Sequence, residues 1–404
     1  MAIGGLMDTS NVPSQLDEDD LLAELEIELP DSGSEPLFTD VGDEVEIIEE
    51  DNGDVTVDFE PGFDSDDMGD EFGDNLAEYL SDTELSRISS DLASEFDSNK
   101  ASRQEWEDTY SNGLELLGFS YSDRTQPFRG ASGVTHPLLA EAATQFQAQA
   151  FNELLPSSGP VRTVVLGKDT RDKQDQAHRV KQFMNYYITN VMEDYTPDMD
   201  QMLFYLPIAG STFKKIYYDE NMGRAVSKFV PADNLVVPYD TADLDSCPNI
   251  TQVVRMDLND LRKKQLAGIY LDIDVLPSQP GVSEVRSEID RIDGFEPNQI
   301  DYDCTLLECH VDLDLEGYEE LDDEGEPTGI KVPYIVTISQ DNGEILSIRR
   351  NFAEDDEKKK KISYFVHYKF LPGFGFYGLG LIHTIGGLAR SATSSLRQLI
   401  DAGT

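Results

Sequence analysis

Basic residues are scarce in this sequence. Its 404 residues include 31 Lys and Arg against 80 Asp and Glu, so the formal net charge is −49. A chain this acidic is not expected to grip nucleic acid, because most of its surface repels phosphate. The charge leaves open a protein that lets nucleic acid pass without holding it.

Cysteines and long apolar runs are scarce as well. The three cysteines, Cys247, Cys304 and Cys309, are too sparse for a disulfide framework and favour reduced thiols in a cytosolic setting. The N-terminus lacks a basic stretch followed by an apolar one, so no secretory signal is predicted. Residues 370–389 are uncharged over the length of a membrane span, but their six glycines and Pro372 make a poor hydrophobic helix. No membrane span is therefore predicted.

The acidic residues are concentrated at the N-terminal end. Residues 1–100 contain 32 acidic residues and two basic ones. Few aromatics and many Gly, Ser and Asp predict that residues 1–75 form a largely disordered acidic segment. Inside that segment, residues 46–59 alternate in hydrophobicity around Asn52-Gly53, which predicts a β-hairpin, and residues 21–29 are predicted to form a short helix or strand.

After residue 75 the apolar residues first recur at helical spacing. Helices are predicted over residues 80–117, 137–155, 171–192 and 197–209. The predicted buried face of the third helix consists of Val180, Phe183, Met184, Tyr187 and Val191.

The period then changes to two, which predicts antiparallel strands joined by turns. Strands are predicted over residues 161–166, 212–218, 225–230, 234–237, 251–256, 306–315, 332–339, 345–350 and 362–370, helices over 258–269 and 379–402, and a long surface excursion over 278–300. Helices followed by strands and a final helix indicate an α+β fold. The predicted divisions are the acidic segment 1–75, an α+β domain 76–370, and a glycine-rich turn with the start of a helix at 371–404.

Motifs that would indicate catalysis are weak. Residues 373–378 spell Gly-x-Gly-x-x-Gly between a predicted strand and a helix, which is the setting of a dinucleotide-binding loop. The preceding strands look antiparallel, however, so a packing turn is the favoured interpretation. Cys304, Cys309 and His310 lack a fourth zinc ligand, and acidic pairs such as Asp312 and Asp314 arise easily in so acidic a chain.

The strongest basic feature is the run Lys358, Lys359, Lys360 and Lys361. It follows four acidic residues, which favours a self-neutralising turn between strands. A contact with phosphate or with a partner protein is the alternative. With no convincing catalytic constellation, the sequence indicates an assembly component rather than an enzyme, and no cofactor is predicted.

Four segments together resemble a known family. They are GVTHPLLAEAATQFQAQAFNELLP at 133–156, DMDQMLFYLPIAGSTFKKIYYD at 198–219, PADNLVVPYDTADLDSCPNITQV at 231–253, and GFGFYGLGLIHTIGGLARSATSSLRQLIDAGT at 373–404. They resemble the portal, or head-to-tail connector, proteins of tailed double-stranded DNA bacteriophages, in particular those of short-tailed phages. The resemblance covers roughly residues 75–404 and rests on whole segments rather than on a chemical signature.

The resemblance implies a structural subunit of the virion. Portals are rings of about twelve subunits at one capsid vertex, assembled in the host cytoplasm with capsid and scaffolding proteins. Double-stranded DNA passes through the central channel during packaging and ejection without specific binding. Terminase and tail adaptor proteins dock on the ring. By this resemblance residues 76–370 are mostly wing, residues 379–402 begin the stem, and clip and crown would follow residue 404, so the chain is expected to be C-terminally incomplete.

Candidate residues follow from the same resemblance. Candidates for the DNA channel on the last helix are Ser391, Ser394, Ser395 and Arg397. Candidate partners for acidic groups of neighbouring subunits are Arg124, Arg129, Arg171, Lys173, Arg179 and Lys181. The Ala- and Gln-rich face of residues 137–155 is a further candidate for the subunit interface. A nucleotide-binding enzyme that uses residues 373–378, or another acidic assembly or adaptor protein, remains the alternative.

Overall fold

The computed structural model describes residues 46–49, 55–58, 72–119, 128, 130–168, 170–219, 222–275, 284–294, 303–321, 326–356 and 358–403. The chain divides into two units, Met1–Gly69 and Asp70–Thr404. In the first unit β1 (Glu46–Glu49) pairs antiparallel with β2 (Val55–Asp58), which confirms the predicted hairpin. The short element predicted at residues 21–29 and the candidates Arg124 and Arg129 lie outside the described residues.

The second unit is α+β, as predicted. Its helices are α1 (Asp82–Ser102), α2 (Gln104–Leu114), α3 (Leu138–Leu154), α4 (Arg171–Tyr186), α5 (Tyr195–Ala209), α6 (Leu258–Leu266), α7 (Glu284–Asp293) and α8 (Leu381–Gly403). Its strands are β3 (Ser211–Asp219), β4 (Arg224–Pro231), β5 (Leu235–Val236), β6 (Asn249–Asp257), β7 (Asp303–Leu313), β8 (Val332–Ser339), β9 (Ile345–Arg350) and β10 (Phe365–Lys369).

The described strands of the second unit form two antiparallel sheets. One has the order β10-β3-β4 and the other the order β5-β6-β7-β8-β9. The Asn75 side chain blocks the β9 edge of the larger sheet by bonding two of its backbone groups, the Leu346 carbonyl and the Ile348 amide. A sheet edge covered in this way is no longer free to pair with another strand.

The larger sheet is covered on both faces. Because side chains alternate along a strand, Leu307, Cys309 and Val311 of β7 share one face and pack with residues of α1. Cys304 and Leu306 point to the opposite face and pack near Leu261 of α6. Sheet burial on both faces explains why β8 is a nearly continuous apolar run.

Two predicted elements differ from the structure. Residues 161–166 were predicted to be a strand, but the chain there is unpaired, because Val161 and Thr163 bond to α4 instead of to another strand. Residues 278–300 were predicted to be a surface excursion, yet they contain α7. Burial of Val285 and Ile289 against α2 holds that helix.

The predicted buried face of residues 171–192 is also wrong. The helix forms as α4 and continues into one π-helical turn, Tyr187–Val191, but none of its residues is buried. Phe183 is 61% exposed and Val180 46% exposed. These apolar residues do recur at helical spacing, but no other element in the described part of the chain packs over them.

Candidate functional site

The junction between the smaller sheet and α8 is built from close backbone contacts. The turn at residues 371–379 follows β10, and its Leu371 and Leu379 bridge the two ends of the turn. A Cβ on Gly210, whose φ is +87°, would lie 2.5 Å from the Gly378 carbonyl oxygen. A Cβ on Gly380 would collide with the Ile208 carbonyl. Glycine is therefore needed here for packing. In a dinucleotide-binding loop the glycines allow the backbone to approach the pyrophosphate, whereas here Gly378 of the Gly-x-Gly-x-x-Gly motif packs against the backbone of Gly210.

One hydroxyl ties this turn to the smaller sheet. Ser211 Oγ accepts a hydrogen bond from the Gly378 amide at 2.7 Å and lies 3.0 Å from His367 Nε2. The His367 ring contacts the rings of Phe213 and Phe376, with centroid distances of 4.5 and 4.6 Å, and the two phenylalanine rings also contact each other at 5.9 Å. Burial among these rings, with Lys369 nearby, lowers the pKa of His367 to about 3, so the imidazole is neutral near pH 7.

A buried arginine joins the turn to the helical part. Arg103 lies between α1 and α2 and is 1% exposed. Its guanidinium donates to the carbonyls of Ala232, Asp233 and Leu235 at 2.6–3.1 Å. The same group donates to Glu107 Oε1 at 2.5 Å and to the Tyr377 hydroxyl at 2.8 Å.

The charges in this cluster are compensated but fully enclosed. Burial raises the pKa of Asp233, although Arg103 opposes the shift. The Tyr377 ring stacks on Trp106 with a centroid distance of 4.6 Å. Arg103 thus links three regions that are far apart in sequence: the α1–α2 junction, residues 232–235, and the glycine-rich turn. Nothing in the periodicity of the sequence marks this residue, since it falls within a predicted helical stretch.

The last helix packs on the body along one face. Ile382, Gly386, Ala389 and Thr393 of α8 are buried, at the spacing of three and four residues that one helix face requires. The Thr393 hydroxyl also accepts a hydrogen bond from the His136 amide at 3.1 Å. The helix is therefore fixed along the segment that precedes α3.

The channel candidates divide into two groups on α8. Ser391, Ser394 and Ser395 are exposed on the same side of the helix as Gly387, next to the exposed Arg390. Arg397 points back to the body, where Nε donates to the Val134 carbonyl at 2.7 Å and Nη2 to the Thr135 hydroxyl at 3.1 Å. The serines are accessible to a partner or to a cargo, and Arg397 anchors the helix.

The lysine run also divides. Lys359 has a φ of +45° and pairs with Glu320, while Lys361 Nζ donates to the Cys247 carbonyl at 3.2 Å. Asp356 accepts hydrogen bonds from the amides of Lys358 and Lys360, whose side chains are exposed. Two of the four lysines thus hold the turn, and two are available to a phosphate or a partner.

A second buried ionic cluster joins the two sheets. Lys215 Nζ of β3 lies 2.5 and 2.7 Å from the carboxylate oxygens of Glu308 on β7, and His310 Nε2 lies 2.8 Å from Glu308 Oε1. Burial opposes ionisation of Glu308, but His310 and Lys215 together hold its pKa well below the usual range. The ionised carboxylate accepts from both neighbours, so His310 donates from Nε2.

Neither the cysteines nor the acidic pairs assemble a metal centre. All three cysteines are free and buried, and burial raises the pKa of Cys309 to about 12, so its thiol is protonated. Among the described residues, no group of three or more His, Cys, Asp or Glu side chains is placed to hold a metal ion.

No protein-family model matches the chain, and no curated protein matches it. Within the described part of the chain, no helix is both long and apolar enough to cross a membrane.

Proposed function

We propose that this chain is a portal subunit, a structural protein that forms the ring at one capsid vertex of a tailed double-stranded DNA phage. The main observation in support of the proposal is that the four portal-like segments lie together in the fold. Residues of 133–156, 198–219, 231–253 and 373–404 meet in one hydrophobic core, although up to about 240 residues of sequence separate them. Members of that core from the four segments include Leu139, Phe213, Leu235, Phe376 and Ile382.

Their convergence supports the proposal because the segments that resemble the family pack together as one structural unit. Arg103 and the close packing at Gly210 and Gly380 add polar and backbone contacts among three of the same segments. What resembles the family is therefore the part that folds as a unit.

The last helix supports a role in a ring. One face of α8 is fixed on the body, and the other presents Ser391, Ser394 and Ser395 beside the exposed Arg390. In a chain of net charge −49, a helix face with serines and a single arginine does not repel phosphate, which suits contact with a neighbouring helix or with passing DNA. The proposed partners are further copies of the chain, terminase, tail adaptor proteins, and capsid and scaffolding proteins.

Native mass spectrometry of the product of the complete reading frame tests this function. A portal subunit gives one closed oligomer of fixed subunit number, near twelve. A ladder of sizes or a stable monomer contradicts it and favours another acidic assembly or adaptor protein. Thermal unfolding with NAD or ATP tests the enzyme alternative, because a ligand that binds the folded state raises the melting temperature. The portal assignment predicts no shift.

A further inference from the structure

An arm of the second unit carries apolar side chains that the described part of the chain leaves exposed. The arm is residues 156–187, which run from the end of α3 through α4. Phe183 is 61% exposed, and Val164 and Leu166, on the extended stretch before α4, are 80% and 85% exposed. Burial of such side chains against another surface is favourable by about 25 cal/mol per Å² of apolar area. A cluster of them on one projection marks an interaction surface.

The arm has a defined shape rather than a loose one. The Asn185 side chain makes two hydrogen bonds to the backbone of Val161, at 2.8 and 3.2 Å. Thr163 Oγ1 donates to the Ala177 carbonyl at 3.0 Å. The Tyr187 hydroxyl accepts from the Ala225 amide of β4 at 2.9 Å, which fastens the base of the arm to the smaller sheet. The apolar stripe on α4 is thus presented by an ordered support.

The arm is also basic, in contrast to the chain as a whole. Six of the 31 Lys and Arg lie in its 32 residues, against three of the 80 Asp and Glu. The six are Arg162, Lys168, Arg171, Lys173, Arg179 and Lys181. None of them forms an ion pair with another residue in the described ranges. A basic and apolar surface fits an acidic partner with apolar side chains of its own.

We propose that this arm docks on the acidic surface of a second copy of the same chain and forms the contact between neighbouring subunits. The proposal rests on the proposed function in that a ring requires such a contact. Ring closure needs a heterologous interface, in which one surface of each subunit meets a different surface of the next. This chain carries both halves: a basic arm, and a remainder in which 77 Asp and Glu outnumber 25 Lys and Arg.

Duplex DNA and anionic phospholipid are the other surfaces that a basic amphipathic helix fits. Both carry dense and uniform negative charge, which would repel the carboxylates over the rest of the chain. A second copy offers carboxylates at discrete positions, where each can meet a Lys or Arg while others point to solvent. Subunits of net charge −49 also need local pairing of this kind to approach each other.

Zero-length carbodiimide cross-linking of the full chain tests the contact directly. With a mixture of isotopically labelled and unlabelled copies, mass spectrometry separates cross-links between copies from those within one copy. The expected result is cross-links from Lys173 and Lys181 to Asp or Glu of another copy. Cross-links of these lysines within single copies alone would overturn the proposal.

Substitutions on the arm test how much it contributes to the affinity of self-association. Val180→Ser with Phe183→Ser, or Arg179→Glu with Lys181→Glu, should weaken self-association at least about tenfold. Val180, Phe183 and Arg179 are exposed and Lys181 is partly exposed, so far-UV circular dichroism and the melting temperature should stay unchanged. The matched control, Lys228→Glu with Lys331→Glu, makes the same change in net charge at exposed positions outside the arm and should assemble normally.

The outcomes distinguish this inference from the function on which it rests. Rings from the parent chain and equal rings from both arm variants overturn the arm contact and leave the portal proposal standing. Oligomers that are not rings, but that the arm variants dissociate, contradict the portal proposal and support the arm contact. Binding of duplex DNA or of phosphatidylserine vesicles that is lost in the arm variants, with no self-association, overturns the arm contact in favour of those surfaces.

Discussion

The Arg103 guanidinium donates a 2.8 Å hydrogen bond to the hydroxyl of Tyr377, a residue 274 positions later in the chain. The same hydroxyl donates to the Leu235 carbonyl at 2.8 Å, to which Arg103 also donates. The triangle fixes the glycine-rich turn against the helical part from inside the core. Since Tyr377 is buried, its hydroxyl has no water to replace either partner.

Replacement of Arg103 should therefore be costly. Arg103→Ala leaves Glu107 and the carbonyls of Ala232 and Asp233 without the donor that Arg103 supplies, and we expect a loss of about 3–5 kcal/mol in the free energy of unfolding. Arg103→Lys keeps the charge but not the planar fork, and should lose a large part of the same amount. Urea denaturation measures both. Arg87→Ala, at an exposed arginine of α1, is the control and should change stability by less than about 1 kcal/mol.

Two glycines near the start of α8 should respond oppositely to alanine. Gly380→Ala places a Cβ against the Ile208 backbone and should destabilise by about 1–3 kcal/mol, as overpacking does. Gly387→Ala meets no atom within 4 Å on an exposed helix face and should stabilise by about 0.5–1 kcal/mol. Thermal unfolding compares the two variants, one just before α8 and one within it. Equal effects would contradict the close contact between α8 and the end of α5.

Acid should destabilise the fold through His367. Its folded pKa of about 3 lies below the value near 6.5 of an unfolded histidine, so below pH 6.5 the unfolded chain binds a proton that the folded chain does not. Stability is then present above pH 6.5 and falls towards acid, by up to about 1.4 kcal/mol per pH unit. His367→Phe keeps the aromatic stack and should flatten the slope of unfolding free energy between pH 6.5 and 5.

The lysine run should separate into structural and dispensable positions. Lys361→Met removes the donor to the Cys247 carbonyl and should cost about 1 kcal/mol. Lys358→Met and Lys360→Met remove exposed charges and should change the unfolding free energy by less than about 0.5 kcal/mol. Chemical denaturation checks all three. A large loss at Lys358 or Lys360 would show that their side chains hold the turn.

Local patterning was enough to predict most of the secondary structure. The hairpin at 46–59 was signalled by Asn52-Gly53, and α3, α5 and α8 by helical periodicity with glycine or proline at their ends. The strand predicted at residues 161–166 is absent because β-branched residues indicate a strand only where a partner strand is available to pair with them. The prediction that the apolar face of α4 is buried was wrong because periodicity shows that a face is apolar but not what covers it.

The buried polar clusters could not be predicted from local patterns. Arg103 and Glu107 look like any exposed pair four residues apart on a helix, and only the tertiary fold brings Tyr377 and residues 232–235 around them. Lys215 and Glu308 lie on strands of different sheets, β3 and β7, so their contact depends on how the two sheets pack. For Arg397, the sequence could place the residue on the last helix but not the direction of its side chain.

Negative-stain electron microscopy of the complete gene product, with class averages of the particles, tests directly whether the protein assembles into a portal ring. A portal subunit should form closed rings with a central hole and about twelve-fold symmetry. Monodisperse single subunits of the complete product at micromolar concentration would contradict the portal assignment.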